Sequence, residues 1–259
     1  MAQADMRWMA ITFDDVPCLE SYASLAQVRQ MNKKILGCLR RWKVPATAFV
    51  NESKFFWRGE QRSRIAILQN WIDAGHEIGN HTASHKNLSA VGLEAFCRDV
   101  VAGEQTANGL LLAKNGTRMR FFRFPGLDEG QGELRQQVRK FLEHRGYTIA
   151  PITIDPRDWE FNARQRLFRE NGRAAEAAEV RRQFLAHLAE ELAKARNGKR
   201  QEILLLHLCT LTADCLDDIL TLTRNAGFVH RPLAQVLLGT SAKNPVAGSM
   251  RKGGSRRFF

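Results

Sequence analysis

The sequence predicts a single α/β domain, a barrel of about seven strand–helix units. Three observations carry this expectation. Short runs of β-branched and aromatic residues alternate with amphipathic helical stretches along the chain, the pattern of a parallel sheet whose crossovers are helices. About seven such units can be counted, more than a small open sheet uses. The acidic residues and histidines that invite chemistry fall at the carboxyl ends of predicted strands, where α/β folds build their sites. With 259 residues, 44% of them hydrophobic, the chain can bury one large core.

Each element has its own signal. Trp8 to Phe13 alternates and reads as a strand ending at Asp14-Asp15. Leu25, Val28, Met31, Ile35 and Leu39 form a helical stripe that predicts a helix from Leu25 to Trp42. Ala46 to Val50 is a second strand, and a loop carrying Phe55, Phe56 and Trp57 follows. Ile65, Leu68, Trp71 and Ile72 return to helical spacing, with Gly75 as the stop. His76 to Asn80 is a short strand leading into His81. Ser89 reads as the N-cap of a helix running to Leu112. Met119 to Phe122 is a strand, Leu134 to His144 a helix, and Tyr147 to Ile154 a strand interrupted at Pro151. The stretch 155–172 is predicted to be a long polar and aromatic connection. Val180, Phe184, Leu188 and Leu192 then mark a helix from Ala174 to Ala195. Ile203 to His207 is almost wholly apolar, as a strand buried on both faces should be. Leu216 to Thr223 is helical, Phe228-Val229 a last short strand, and Pro232 to Leu238 a final helix with proline near its start.

Composition narrows the function classes. The net charge of +12 favours polyanionic partners such as an acidic envelope polymer. No zinc-finger spacing, aromatic RNA-binding motif or heptads beside a basic stretch is present, so nucleic acid is not the expected partner. No apolar run reaches the roughly 18 residues of a membrane span. Cys18, Cys38, Cys97, Cys209 and Cys215 are odd in number, widely spaced and without a C-x-x-C, which argues against a disulfide framework. Ala2-Gln3-Ala4 fits the A-x-A of a signal-peptidase site, giving the expectation of a periplasmic or secreted protein whose signal has been removed; a cytoplasmic protein with a short Ala-rich start is the alternative. Residues 1–240 are read as the domain, and the basic, Gly-rich 241–259 as a tail that does not fold.

Chemistry concentrates in Asp14-Asp15 and His81-Thr82-Ala83-Ser84-His85. Histidines four apart lie on one face of a helix and can reach one metal ion. A neighbouring carboxylate would complete a three-ligand set with a coordination position open, which distinguishes a catalytic from a structural site. Two adjacent carboxylates leaving a strand point in different directions, so one can bind metal while the other stays free as a base. Alone, an Asp pair is most often an acidic turn, two histidines at this spacing are often surface residues, and a histidine ending an apolar strand, as His207 does, is most often a satisfied core residue. Phe55-Phe56-Trp57 and the segment from Trp159 to Phe168 are candidate aromatic faces for sugar rings, against inward packing.

Five motifs in order decide between these readings: Thr12-Phe13-Asp14-Asp15, His81 to His85, Arg123-Phe124-Pro125-Gly126, Asp155-Pro156-Arg157-Asp158-Trp159 and Leu205-Leu206-His207. From Trp8 to Leu238 the chain resembles carbohydrate esterase family 4, the polysaccharide deacetylases of the NodB homology domain. The resemblance implies a distorted (β/α)7-type barrel. It further implies that Asp14 is the general base, that Asp15, His81 and His85 hold zinc (or cobalt or another divalent ion), and that Arg123 pairs with Asp14. Asp158 would orient His207 as general acid, Trp159 and Leu205 would line the acetyl pocket, and the Gly126 N–H would face the oxyanion. Gly126 departs from the family, where an aromatic residue is common, so one pocket wall is missing. The implied reaction is release of acetate from N-acetylated sugars of a polysaccharide or oligosaccharide; separately, a monomer is expected, though no sequence signal reads the oligomeric state. Peptidoglycan, chitin-like oligomers, other N-acetylglucosamine polymers and O-acetylated xylan stay open as substrates. The alternatives are a hydrolase of other amide or imide C–N bonds on the same barrel, and a non-catalytic envelope-polymer binding protein.

Overall fold

The computed structural model describes residues 6–21, 23–196 and 201–238. The Ala2-Gln3-Ala4 signature and the basic segment from Ser241 onward lie outside the described residues. Seven parallel strands make one sheet: β1 (Arg7–Val16), β2 (Ala46–Val50), β3 (Glu77–Asn80), β4 (Phe121–Phe122), β5 (Thr148–Ile149), β6 (Gln201–His207) and β7 (Phe228–His230). Their order is β5-β4-β3-β2-β1-β6, with β7 paired to the start of β1. After β5 the chain crosses to β6, where Ile154 pairs with Leu204 and its carbonyl accepts from the Leu205 N–H at 3.0 Å. The sheet thus curls into a barrel closed on one side by irregular chain, as the distorted seven-unit expectation requires.

Alternation along β1 sorts inside from outside. Met9, Ile11 and Phe13 enter the large core beneath the helices. Ala10 joins Phe49, Phe121 and Ile203 in a smaller cluster that fills the barrel, closed at the strand-start end by Leu233 and Val236 of α10 (Leu233–Leu238). Thr12 and Asp14 continue the inward row toward the carboxyl ends, as do Leu205 and His207 on β6. Each fully buried Leu or Phe in these layers contributes about 1.5–3 kcal/mol.

Several helices form where the periodicity put them. α1 (Leu25–Trp42) opens with a capping box in which Ser24 and Gln27 bond one another's backbone N–H, and it ends at a left-handed Lys43. α2 (Gln61–Asp73), α6 (Gly132–His144), α8 (Ala174–Arg196) and α9 (Thr210–Asn225) complete most of the outer layer.

Two expectations are corrected. The single helix expected from Ser89 to Leu112 is three: α3 (Leu88–Val91), α4 (Leu93–Ala102) and α5 (Gln105–Asn115). The first break falls at Gly92; the second lies at Gly103, where a Cβ would sit 2.8 Å from the Thr82 backbone, so only glycine lets the helix end abut the loop that carries His81. Ser89 is not the N-cap; its N–H and hydroxyl both donate to the Asp128 carboxylate at 2.7 Å. The connection expected at 155–172 is largely α7 (Asp158–Glu170), whose buried face is Asp158, Asn162 and Gln165. A polar buried face carries no hydrophobic period, so this helix is invisible to that signal.

Candidate active site

Asp14 and Asp15 both face the site because β1 is bulged there. Between Phe13 and Val16, β1 advances three residues while β2 advances two, and Asp15 adopts φ 65. The extra residue cancels the alternation that would have sent Asp15 outward. The two carboxylates diverge only in their partners. Asp14 accepts from Arg123 Nη1 at 2.9 Å and lies 3.7 Å from His81 Nε2. Asp15 lies 3.7 Å from His85 Nε2 and accepts from Lys54 Nζ at 2.5 Å.

The histidine pair does not sit on a helix, contrary to the spacing argument. His81 follows β3, and the chain from there to Asn87 is loop, with left-handed Thr82 (φ 62) and His85 (φ 56). The loop is held by side chains of the elements beneath it. Asn80 Oδ1 accepts from the Thr82 N–H, Thr82 Oγ1 from the His85 N–H, and Asn51 Nδ2 donates to the His81 carbonyl at 2.6 Å. The result brings both rings together, centroids 4.8 Å apart. One ligand atom each from Asp15, His81 and His85 lie within 4.8 Å of one another.

This donor set fits a divalent cation, and the surroundings of His81 support the fit. Its Nδ1–H donates to the Arg123 carbonyl at 2.8 Å, which leaves the Nε2 lone pair toward the cluster. Burial pulls His81 down to about 4 against the pull of Asp14 and Asp15, so at neutral pH the ring is a neutral donor ligand. Burial alone would raise the Asp15 carboxyl, but Lys54, then His85 and His81, hold it well below the usual carboxylate range.

Arg123 is fully buried and organises the Asp14 side of the cluster. Besides Asp14, its guanidinium donates to Thr12 Oγ1 at 2.7 Å and to the carbonyls of Ala150 and Pro151, and it stacks 4.3 Å over the Phe49 ring. The network thereby ties the end of β1 to the chain that leaves β5.

On the other flank, β6 pairs with β1 so that His207 stands directly beside Asp14. His207 Nδ1 is bonded to Asp158 Oδ1 at 2.7 Å. Asp158 Oδ2 accepts from the His207 N–H and from Thr212 Oγ1, at 2.7 and 2.6 Å. Burial works to lower His207, yet the Asp158 charge and hydrogen bond, with Asp15 and Asp14 behind them, push it up to about 9.

The structure thus brings Asp14, Asp15, His81, His85, Arg123, Asp158 and His207 into one connected cluster. Leu205 is buried one inward position below His207. Trp159 follows Asp158 at the start of α7 and is 45% exposed. Gly126 adopts φ 58, and a Cβ there would meet Asn87 Oδ1 at 2.9 Å, so the Asn87 amide occupies the space of the absent side chain. In the aromatic loop Phe55 is buried while Phe56 and Trp57 are exposed. Sequence reasoning missed Lys54, Thr212 and Asn87. Only Thr212 had a signal, a hydroxyl five residues beyond His207, in the first turn of the helix that follows it.

Residues 2–150 match the family model described as polysaccharide deacetylase. A peptidoglycan-N-acetylglucosamine deacetylase of Bacillus cereus is 30% identical over 153 residues, 59% of this chain and 46% of the relative. A chitooligosaccharide deacetylase of Sinorhizobium fredii is 27% identical over 126 residues, 49% of this chain and 52% of the relative. The chain spans about half the length of these curated relatives. Among solved structures, a CE4-family pseudoenzyme of Bacillus anthracis superposes with TM-score 0.63 at 17% identity, covering 90% of this chain and 66% of that one. The peptidoglycan deacetylase PdaC of Bacillus subtilis does so with TM-score 0.59 at 19% identity, over 92% and 93%. These likenesses establish a shared fold.

Proposed function

The chain belongs to the polysaccharide deacetylase family, and we propose that it is a metal-dependent hydrolase that releases acetate from N-acetylated sugars of a peptidoglycan- or chitin-like polymer. The observation that carries the reading is the convergence of Asp15, His81 and His85 between a paired carboxylate and a paired imidazole. Zinc suits two imidazoles and one carboxylate. Bound there, a zinc ion would supply Lewis-acid polarisation of the acetyl group and of water.

The protein's own groups divide the proton work. Asp14, oriented by its ion pair with Arg123, takes a proton from the attacking water. His207, kept protonated by Asp158, gives one to the departing sugar nitrogen, which cannot leave as an anion. The Gly126 N–H is the candidate backbone donor to the developing oxyanion. Leu205 and Trp159 are assigned to the acetyl-methyl pocket. Such a substrate would place the enzyme in the periplasm or outside the cell.

Acetate release from an N-acetylglucosamine oligomer and from peptidoglycan, with zinc and with chelator, tests the proposal. Asp14→Asn is expected to abolish turnover and keep zinc binding. Wild-type protein that binds polymer but releases no acetate in the presence of metal would overturn the enzymatic reading.

A further inference from the structure

On the outer flank of the barrel a cleft of about 830 Å³ opens along the groove between α1 and α2. Val44 and Pro45 lead from it into β2, and His76 into β3. Arg29, Lys33 and Arg40 of α1 line it, together with Lys43 at the helix end, and no Asp or Glu does so among the described residues. Spacings of four and seven residues set the first three on one face of the helix. From Arg29 to Lys43 the row is about 20 Å long, at 1.5 Å per residue.

The two flanks of α1 differ in a telling way. Toward α9, Lys34 pairs with Asp214 at 2.5 Å and Arg41 with Asp217 at 2.6 Å. Toward the cleft, Arg29 reaches only the Ser63 hydroxyl, and Lys33, Arg40 and Lys43 have no ion pair among the described residues. Exposed cations close together and without counter-ions repel one another, a cost that a bound anion removes. Leu36 and Ile67 supply an apolar floor, and the lining holds no aromatic ring except the His76 imidazole.

We propose that this cleft is a second binding site, for a linear phosphate-bearing polyanion. A row of cations about 20 Å long matches an extended chain better than a single phosphate. A floor without Phe, Tyr or Trp offers no stacking platform for bases. The ligand is therefore a polyphosphate-like or polyol-phosphate chain and not a nucleic acid. Such a site would hold the protein on an anionic polymer by its flank while the carboxyl ends of the strands do the chemistry.

Medium-chain inorganic polyphosphate is the probe, titrated by calorimetry at several salt concentrations, with thermal melting to confirm that each variant is folded. Lys33→Gln/Arg40→Gln is expected to weaken binding at least ten-fold and to lower the log–log salt slope by about 1.5, since each lost contact removes about 0.7–0.9. Acetate release from a soluble neutral oligosaccharide should be unchanged in that variant. Lys34→Gln/Arg41→Gln removes the same net charge from the paired flank and is expected to stay within about three-fold of wild type. Equal losses in the two variants would reduce the effect to net charge and overturn the site. Absence of polyphosphate binding, or equal affinity for a single-stranded oligonucleotide of the same charge, would overturn it as well.

Discussion

Asp158→Asn offers the sharpest test of the acid side of the cluster. All three neighbours of this carboxylate donate to it: His207 Nδ1–H, the His207 backbone N–H and the Thr212 hydroxyl. An asparagine must turn its NH₂ toward one of these donors, and it carries no charge to hold the imidazolium. Raising His207 from 6.5 to about 9 corresponds to a preference of about 3 kcal/mol for the protonated ring. Without Asp158, burial is opposed only by the charges of Asp15 and Asp14, and loss of the whole elevation returns the ring to its ordinary value of about 6.5. At pH 8 the protonated fraction then falls from about 0.9 to about 0.03, a loss of about 30-fold in any rate that needs the acid. The alkaline limb of kcat/KM for acetate release should move from near 9 toward 6.5. Stability changes in the same window, with a definite sign. A group raised in the folded state stabilises it fully below the unfolded value of about 6.5 and loses that contribution as pH rises through about 9. The wild-type melting temperature should therefore fall across this interval, and the Asp158→Asn curve should be flat there. An alkaline limb that coincides in the two proteins refutes the assignment of His207 as the acid and Asp158 as the group that keeps it charged.

Asp15→Asn, His81→Ala and His85→Ala should each lose zinc in calorimetric titration while retaining the wild-type circular dichroism spectrum. Lys54→Met removes an ammonium that competes with a cation for Asp15 Oδ1; a competing chromophoric chelator should report about ten-fold tighter zinc binding, about 1.4 kcal/mol, and unchanged or weaker binding would show that Lys54 does not oppose the metal. Arg123→Met strips a buried carboxylate of its guanidinium and should cost about 3–5 kcal/mol in urea unfolding. Gly126→Ala places a Cβ against Asn87 at φ 58 and should cost about 1–2 kcal/mol, which Asn87→Gly in the same chain should partly relieve.

The elements visible in the sequence are those whose burial is apolar. α1 carries a clear helical period, and β2 and β6 read as short, nearly continuous apolar runs, because their buried surfaces meet the core directly. α7 escapes because it is recruited by Asp158, Asn162 and Gln165, three polar residues that bond to β6, α8 and α9 instead of filling the core. The stretch from 89 to 112 keeps one hydrophobic period through two breaks, so the breaks register only as Gly92 and Gly103, residues that a helical pattern tolerates. Strand β5 shrinks to two residues because the chain must leave it at once to close the barrel against β6.

For the site, the chemistry was readable and the geometry was not. A helix would have aligned His81 and His85 by its own period. The loop does so through Asn51, Asn80 and Thr82, none of which announces itself in sequence. Likewise, a regular strand would have separated Asp14 from Asp15, and one extra residue in β1 turns both inward. Left-handed residues and a bulge cost conformational energy, about 1–2 kcal/mol at each non-glycine position. Three of the seven left-handed non-glycine residues among the described residues, Asp15, Thr82 and His85, fall in or between the candidate ligands, and neighbouring side chains are spent on holding the 81–85 loop, although the barrel closes elsewhere, through β6 and residues 153–154. Where Lys43 and Arg157 use the same conformation merely to end or begin a helix, Asp15 and His85 use it to bring their own side chains to one point, which is what a preorganised ligand set requires.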